Sequence, residues 1–254
     1  MSAPTAEIIA AANELLDVEG YEDYCVNGLQ VPGPDTVETI VTGVSAHAEL
    51  FELAAAEGAD LVLVHHGLFW RSGITAIEST MKRRLELLFS GGIALAAYHL
   101  PLDAHAEIGN NALIADALGA GALEPFAPIG ERPIGFLATF PDGGIAAAEL
   151  FARVHAVTDR EPTVFAAGPE LVRRIGIVSG GASDHLPDAH AAGADAFLTG
   201  ELAERSMSVA REHRLHLIGA GHYATETFGI RRLGELLAER FGVRHVFIDV
   251  PNPL

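Results

Sequence analysis

The chain has 254 residues, 49% of them hydrophobic, with 34 acidic against 16 basic side chains and a formal net charge of −18. That length and composition suit a globular protein with a sizeable core and exclude a disordered chain. The charge opposes binding to a phosphate backbone, which argues against nucleic acid as a partner, and no segment reaches the roughly 18 uninterrupted apolar residues of a membrane span. The first residues, Met1-Ser-Ala-Pro-Thr5, show no secretory leader pattern, and the single Cys25 cannot form an internal disulfide, so a cytoplasmic location is expected.

Thr5 is expected to cap a first helix in which Ile8, Ile9, Ala12, Leu15 and Leu16 recur at helical spacing. Residues 41–44 read as a strand. Residues 48–57 have helical spacing, end at Gly58, and hand over to Leu61-Val62-Leu63-Val64, an apolar run expected to be buried on both faces. His65 and His66 end that run. A helix at 82–89 and a strand at 93–98 follow, so strands and helices alternate as in parallel-sheet α/β proteins. Residues 124–133 are rich in proline and aperiodic, which predicts a linker and divides the chain into halves 1–128 and 129–254.

The second half opens with a strand at 134–139, a helix at 145–157 and a strand at 163–167. Strands at 175–178, 196–199 and 215–219 then alternate with helices at 186–192 and 201–212. The last helix and a strand at 245–248 are expected to pack back on the first half. Gly58-Ala59-Asp60 recurs as Gly193-Ala194-Asp195, and Ile40-Val41-Thr42-Gly43 resembles Ile177-Val178-Ser179-Gly180. The expectation is therefore two related α/β domains from an internal duplication, each a mostly parallel or mixed sheet flanked by helices.

Aligning the third strand of each half sets His99 over His222 and Asp103 over Glu226, so each half carries His-x-x-x-carboxylate at the carboxyl edge of its sheet. Open α/β sheets bind ligands at that edge. His65 and His66 reach it from the neighbouring strand, where the second half has Gly200 and Glu201. A histidine doublet alone is more often a hydrogen-bonded or capping pair than a metal site. The convergence of both motifs points to metal, because carboxylates beside apolar strands are costly unless paired or ligated. Mixed imidazole and carboxylate donors suit Zn, Fe, Mn, Co or Ni better than Ca or Mg, and such a set over-supplies a single catalytic zinc, so two divalent ions are the natural reading. His105 lies close enough in sequence to support Asp103. His47, His155, His185, His190, His213, His216 and His245 read as solvated. Ser179-Gly180-Gly181-Ala182-Ser183 is a glycine-rich turn that either cradles an anion or simply turns the chain.

Asn27-Gly-Leu-Gln-Val31, His65-His66-Gly-Leu-Phe69, Leu102-Asp103, Thr199-Gly200-Glu201 and Gly221-His222-Tyr223-Ala-Thr-Glu226 together resemble the Nif-three-like family, in order and over nearly the whole chain. Its bacterial members are described as GTP cyclohydrolase 1 type 2 homologues or as dinuclear-metal-centre hexameric proteins. The resemblance implies two intertwined α/β domains, a toroidal homohexamer, and a two-metal site whose ligands fall on His65, His66, Asp103, His222 and Glu226. Glu226 is the implied bridge and His99 a supporting group. Gly67 stands where many members have proline, and the chain lacks the domain that longer members insert between the halves. A mean hydropathy of +0.27 also fits burial of surface between subunits.

The expected function is that of a dinuclear metal-dependent hydrolase. By resemblance it opens the imidazole ring of GTP or a related nucleotide and releases formate, with His99, Glu201 or His105 moving protons. A phosphoester hydrolase fits the same donors. The alternative from another class is a metal-binding scaffold or metal-delivery protein without turnover.

Overall fold

The apolar run that precedes the two histidines is the central strand of a five-stranded sheet. In chain order the sheet takes β1 (Gly28–Val31), β2 (Thr39–Ser45), β3 (Leu61–His66), β4 (Ala94–Ala97) and the C-terminal strand Arg244–Phe247. Across the sheet the order is C-terminal strand, β2, β3, β4, β1. All pairings are parallel except that of the edge strand β1 with β4. Leu61, Val62, Leu63 and Val64 are wholly buried, as a strand apolar on both faces requires. This computed structural model describes residues 1–71, 73 and 76–254. They form two compact units, Met1–Leu102 with Gly229–Val250, and Asp103–Phe228 with Pro251–Leu254.

In the first unit α1 (Thr5–Leu15) begins one residue earlier than its expected cap implies. Pro4 occupies the cap position, while the Thr5 hydroxyl donates to the Pro34 carbonyl at 2.5 Å, so Thr5 ties the helix to a loop instead of capping it. Leu50, Phe51 and Ala54 of α2 (Ala48–Ala56) and Leu88 of α3 (Ser79–Gly91) pack with Val41, Val62, Val64 and Leu95 in one apolar cluster. The C-terminal strand pairs with β2, setting His245 opposite Ile40. His245 is not solvated. Its Nε2 lies 2.8 Å from the Thr42 hydroxyl, and burial lowers its pKa.

The second unit holds a six-stranded sheet made of β5 (Gly121–Ile129), β6 (Arg132–Thr139), β7 (Thr163–Phe165), β8 (Arg174–Ile177), β9 (Ala196–Thr199) and β10 (His216–Gly219). The order is β7, β10, β9, β8, β6, β5, with β8, β9 and β10 parallel and the other pairings antiparallel. Residues 124–133, expected as a linker, are instead the β5 to β6 hairpin, in which Pro128 pairs with Pro133. Pro125 and Pro128 are tolerated because β5 is an edge strand, and Pro133 because β6 pairs with β8 only from Phe136 onward. Around this sheet stand α5 (Asn110–Leu118), α6 (Ala147–Thr158), α7 (Leu186–Ala191) and α8 (Ser206–His213), after the short α4 (Leu100–Asp103). Residues 201–205, expected as the first turn of a helix, precede α8. Among the described residues no helix is long and apolar enough to cross a membrane.

Candidate metal centre

In the first unit β3 delivers His65 and His66 at its C-terminal end, and the chain leaving the adjacent parallel strand β4 delivers His99. The ring centroids lie 4.8 Å apart for His65 and His66, 5.0 Å for His65 and His99, and 5.6 Å for His66 and His99. One ring nitrogen of each lies within 4.8 Å of the others, the arrangement that a shared cation requires. His65 is wholly buried, with Nδ1 2.9 Å from the Tyr98 carbonyl oxygen. A carbonyl only accepts, so Nδ1 carries the hydrogen and Nε2 of the neutral ring keeps its lone pair. His66 Nδ1 lies 3.2 Å from the Ser45 hydroxyl.

His99 Nδ1 lies 2.9 Å from Asp23 Oδ1. That carboxylate also accepts the amides of Cys25 and Leu100 and the Asn27 side chain, each at 2.9 Å. Burial pushes the Asp23 carboxyl up, but the hydrogen bond and charge of His99, with Asn27 and the Cys25 amide, outweigh it and hold the pKa below its usual value. The Asn27 Oδ1 in turn accepts the His99 amide at 2.8 Å. Gln30 Oε1 accepts the amides of Leu68 at 2.7 Å and Phe69 at 3.2 Å, which fixes the loop leaving His66. The Asn27 to Val31 motif thus acts by holding the chain around the histidines.

In the second unit Asp103 closes α4. Its Oδ1 accepts Asn110 Nδ2 at 2.7 Å and the Ser179 hydroxyl at 2.9 Å. His222 opens α9 (His222–Thr225), and Glu226 follows it directly, before the long C-terminal helix Thr227–Phe241. His222 Nε2 lies 3.1 Å from Glu226 Oε1, and its Nδ1 2.5 Å from Glu201 Oε1. Burial opposes a charge on His222, yet Glu226 and then Glu201 outweigh it and raise the pKa from 6.5 to about 9. A Cβ on Gly180 would stand 2.3 Å from Glu226 Oε1 and 3.1 Å from His222 Nε2, so only glycine lets the two side chains approach. Ser179 and Gly180, adjacent in the chain, therefore touch Asp103 and Glu226 respectively.

Three of the five amides of the glycine-rich turn are taken up within the chain. Ser179 N–H donates to Asn111 Oδ1, Gly180 N–H to Thr225 Oγ1 and Ala182 N–H to Thr199 Oγ1, so the turn is pinned by its own unit. His105 Nδ1 accepts the amides of Glu107 and Ile108. Three of the histidines read as solvated are structural. His47 caps α2 by accepting the Leu50 amide, His216 is buried with Nε2 2.7 Å from the Pro169 carbonyl, and His245 pairs with Thr42 as described. Strand register also corrects the alignment of the two motifs. Leu61 pairs with Ala94 and Ala196 with His216, which matches His99 to Gly221 and leaves His222 one residue further on. The alignment had followed the chemistry of the side chains and not the ladder. Asp23 was missed altogether, because the stretch from Tyr21 to Cys25 has no periodicity to mark it.

His65, His66 and His99 of the first unit form a donor set that could hold a metal ion, and the second unit carries His222 and Glu226 within 3.1 Å of each other. Imidazole nitrogens and carboxylates are present together, and Cys25, buried with a pKa raised by burial, is not needed as a soft ligand. The model of the family Duf34/NIF3 (NGG1p interacting factor 3) matches residues 4–253. A Pseudomonas aeruginosa protein named GTP cyclohydrolase 1 type 2 homolog is 41% identical over 253 residues, covering 100% of each chain. An Escherichia coli K12 protein of the same name is 43% identical over 97% of this chain and 98% of its own. The solved structure of protein ybgI superposes with a TM-score of 0.93 at 39% identity, over 99% of this chain and 100% of that one.

Proposed function

The chain belongs to the Duf34/NIF3 family, and from that premise we propose that it is a divalent-metal-dependent hydrolase in which His65, His66, Asp103, His222 and Glu226 would hold two divalent ions. The observation that carries this reading is His65. It is wholly buried, and its bond to the Tyr98 carbonyl fixes the tautomer in which Nε2 is a lone-pair donor, within a group of imidazoles close enough to share a cation. Divalent ions held by these residues would lower the pKa of water toward neutrality and polarise the bond under attack. Asp103 and Glu226 supply negative charge to offset the cations, and Asn110, Ser179 and Gly180 set the positions of both carboxylates. Asp23 orients His99 through Nδ1, which leaves Nε2 to take or give a proton and lets the carboxylate stabilise the resulting imidazolium.

The name shared by the relatives directs the substrate reading to GTP or a related nucleotide, with opening of its imidazole ring and release of formate. Assembly as a homohexamer in the cytoplasm completes the proposal. Light scattering that gave a monomer mass at micromolar concentration would contradict the assembly. The activity is tested by incubating GTP with protein reconstituted with Zn, Mn or Fe(II) and measuring formate. Release is expected from the wild type and not from Glu226→Gln. Tight metal binding without turnover of any nucleotide would instead favour the non-catalytic scaffold.

A further inference from the structure

Tyr24 and Trp70 stand beside the imidazole cluster of the first unit and take no part in the roles described so far. Their backbones are tied across an antiparallel bridge between Cys25 and Trp70, flanked by bonds from the Val26 amide to Phe69 O at 3.1 Å and from the Arg71 amide to Tyr24 O at 2.7 Å. The indole Nε1 donates to the Gly67 carbonyl at 3.1 Å, which fixes the ring. Tyr24 lies nearly parallel to Trp70, with centroids 5.8 Å apart and planes at 22°. Both meet His99 edge-on, Tyr24 at 5.1 Å and Trp70 at 5.3 Å.

A half-exposed tyrosine by itself needs no explanation. The continuity of the rings does. From His65 to His99 to Tyr24 the centroids step by 5.0 and 5.1 Å while exposure rises from 0% through 6% to 52%. The series joins a buried donor cluster to solvent through rigid π surfaces. Such a surface binds planar rings at low cost in side-chain entropy, and stacking of one base on an aromatic side chain contributes about 1–3 kcal/mol. The protein's formal charge of −18 offers phosphates little long-range attraction, so affinity for a nucleotide has to arise largely from its ring and from direct contacts.

We propose that the outer face of Tyr24, backed by Trp70, is a stacking platform for a planar heteroaromatic ring, and that it sets the ring of a purine nucleotide beside the imidazole cluster. The choice of nucleotide rests on the hydrolase reading; the platform itself rests on the ring geometry. Trp70 is the single tryptophan, so its fluorescence reports directly on the platform. Full-length, metal-loaded protein is titrated with GTP and, as a ringless probe, with tripolyphosphate, and binding is followed in parallel by calorimetry. GTP should quench Trp70 and tripolyphosphate should not. Tyr24→Leu should weaken GTP binding by about five- to a hundred-fold, the range that stacking one base supplies, with metal content and circular dichroism unchanged, and Tyr24→Phe should retain it. Equal GTP affinity in Tyr24→Leu, equal response to both probes, or no GTP binding would overturn the proposal. Formate measured in the same samples separates the two ideas. Quenching without formate leaves the platform and removes the hydrolase, whereas formate release with the same KM in Tyr24→Leu does the reverse.

Discussion

In the first unit β2, β3 and β4 run parallel in chain order, and in the second β8, β9 and β10 do the same. At the amino ends of these strands the two units repeat each other's chemistry. Gly58 and Gly193 leave the preceding helices at φ of +71° and +81°. Asp60 Oδ2 then accepts the amides of Glu38 and Thr39, and Asp195 Oδ2 accepts those of Arg173 and Arg174. Past the carboxyl ends the likeness stops. His65 and His66 correspond by register to Gly200 and Glu201, and His99 to Gly221. The first unit ends in imidazoles and the second mainly in carboxylates with one histidine. One end of each sheet holds the fold together, and the other is left to vary with chemistry, as open α/β sheets generally allow.

The largest expected effects lie at the divergent ends. Glu226→Gln should abolish binding of the second ion and Asp103→Asn should leave partial occupancy. Glu201→Gln, which removes only a partner of His222, should weaken binding by about ten- to a hundred-fold. Calorimetric titration of the three variants ranks them, and equal small effects would break the ligand assignment. Next come the shared cores. Leu63 and Leu198 are both wholly buried, so either Leu→Ala change should cost about 2–5 kcal/mol in denaturant unfolding. A large loss in one unit and none in the other would break the likeness between them.

The aspartate clamps are smaller and should be equal. Asp60→Ala and Asp195→Ala each leave two amides without their charged acceptor, with an expected cost of about 1.5–3 kcal/mol. Thermal melts of both variants would show whether the clamps are equivalent. The least effect is one of pH. In metal-free protein His222 is held protonated up to about 9 against 6.5 ordinarily. Its pairing therefore stabilises fully below 6.5 and is lost as pH rises from there through about 9. The same proton competes with metal, so affinity should climb over that interval. An NMR titration placing His222 near its ordinary value would remove both expectations.

Much of this was legible in the sequence. The buried run Leu61 to Val64, the recurring Gly-Ala-Asp and the strand-end histidines follow from periodicity and turn chemistry, which act over a few residues. The hairpin at residues 124–133 was not legible, because prolines normally signal a loop, and Pro125 and Pro128 are admitted by the position of β5 at the sheet edge. Asp23 and Ser179 were missed as positioning groups for a related reason. Their partners lie 76 residues away for Asp23 and His99 and likewise 76 for Ser179 and Asp103, and nothing local encodes such pairings.

The central claim, that the divergent strand ends serve metal, is tested most directly by counting ions. Protein purified mildly, reconstituted with Zn, Mn or Fe(II) and freed of excess ion should carry about two ions per chain by elemental analysis, because five donors over-supply a single ion that usually takes three protein ligands. Fewer than about one ion per chain after reconstitution with each metal would contradict it.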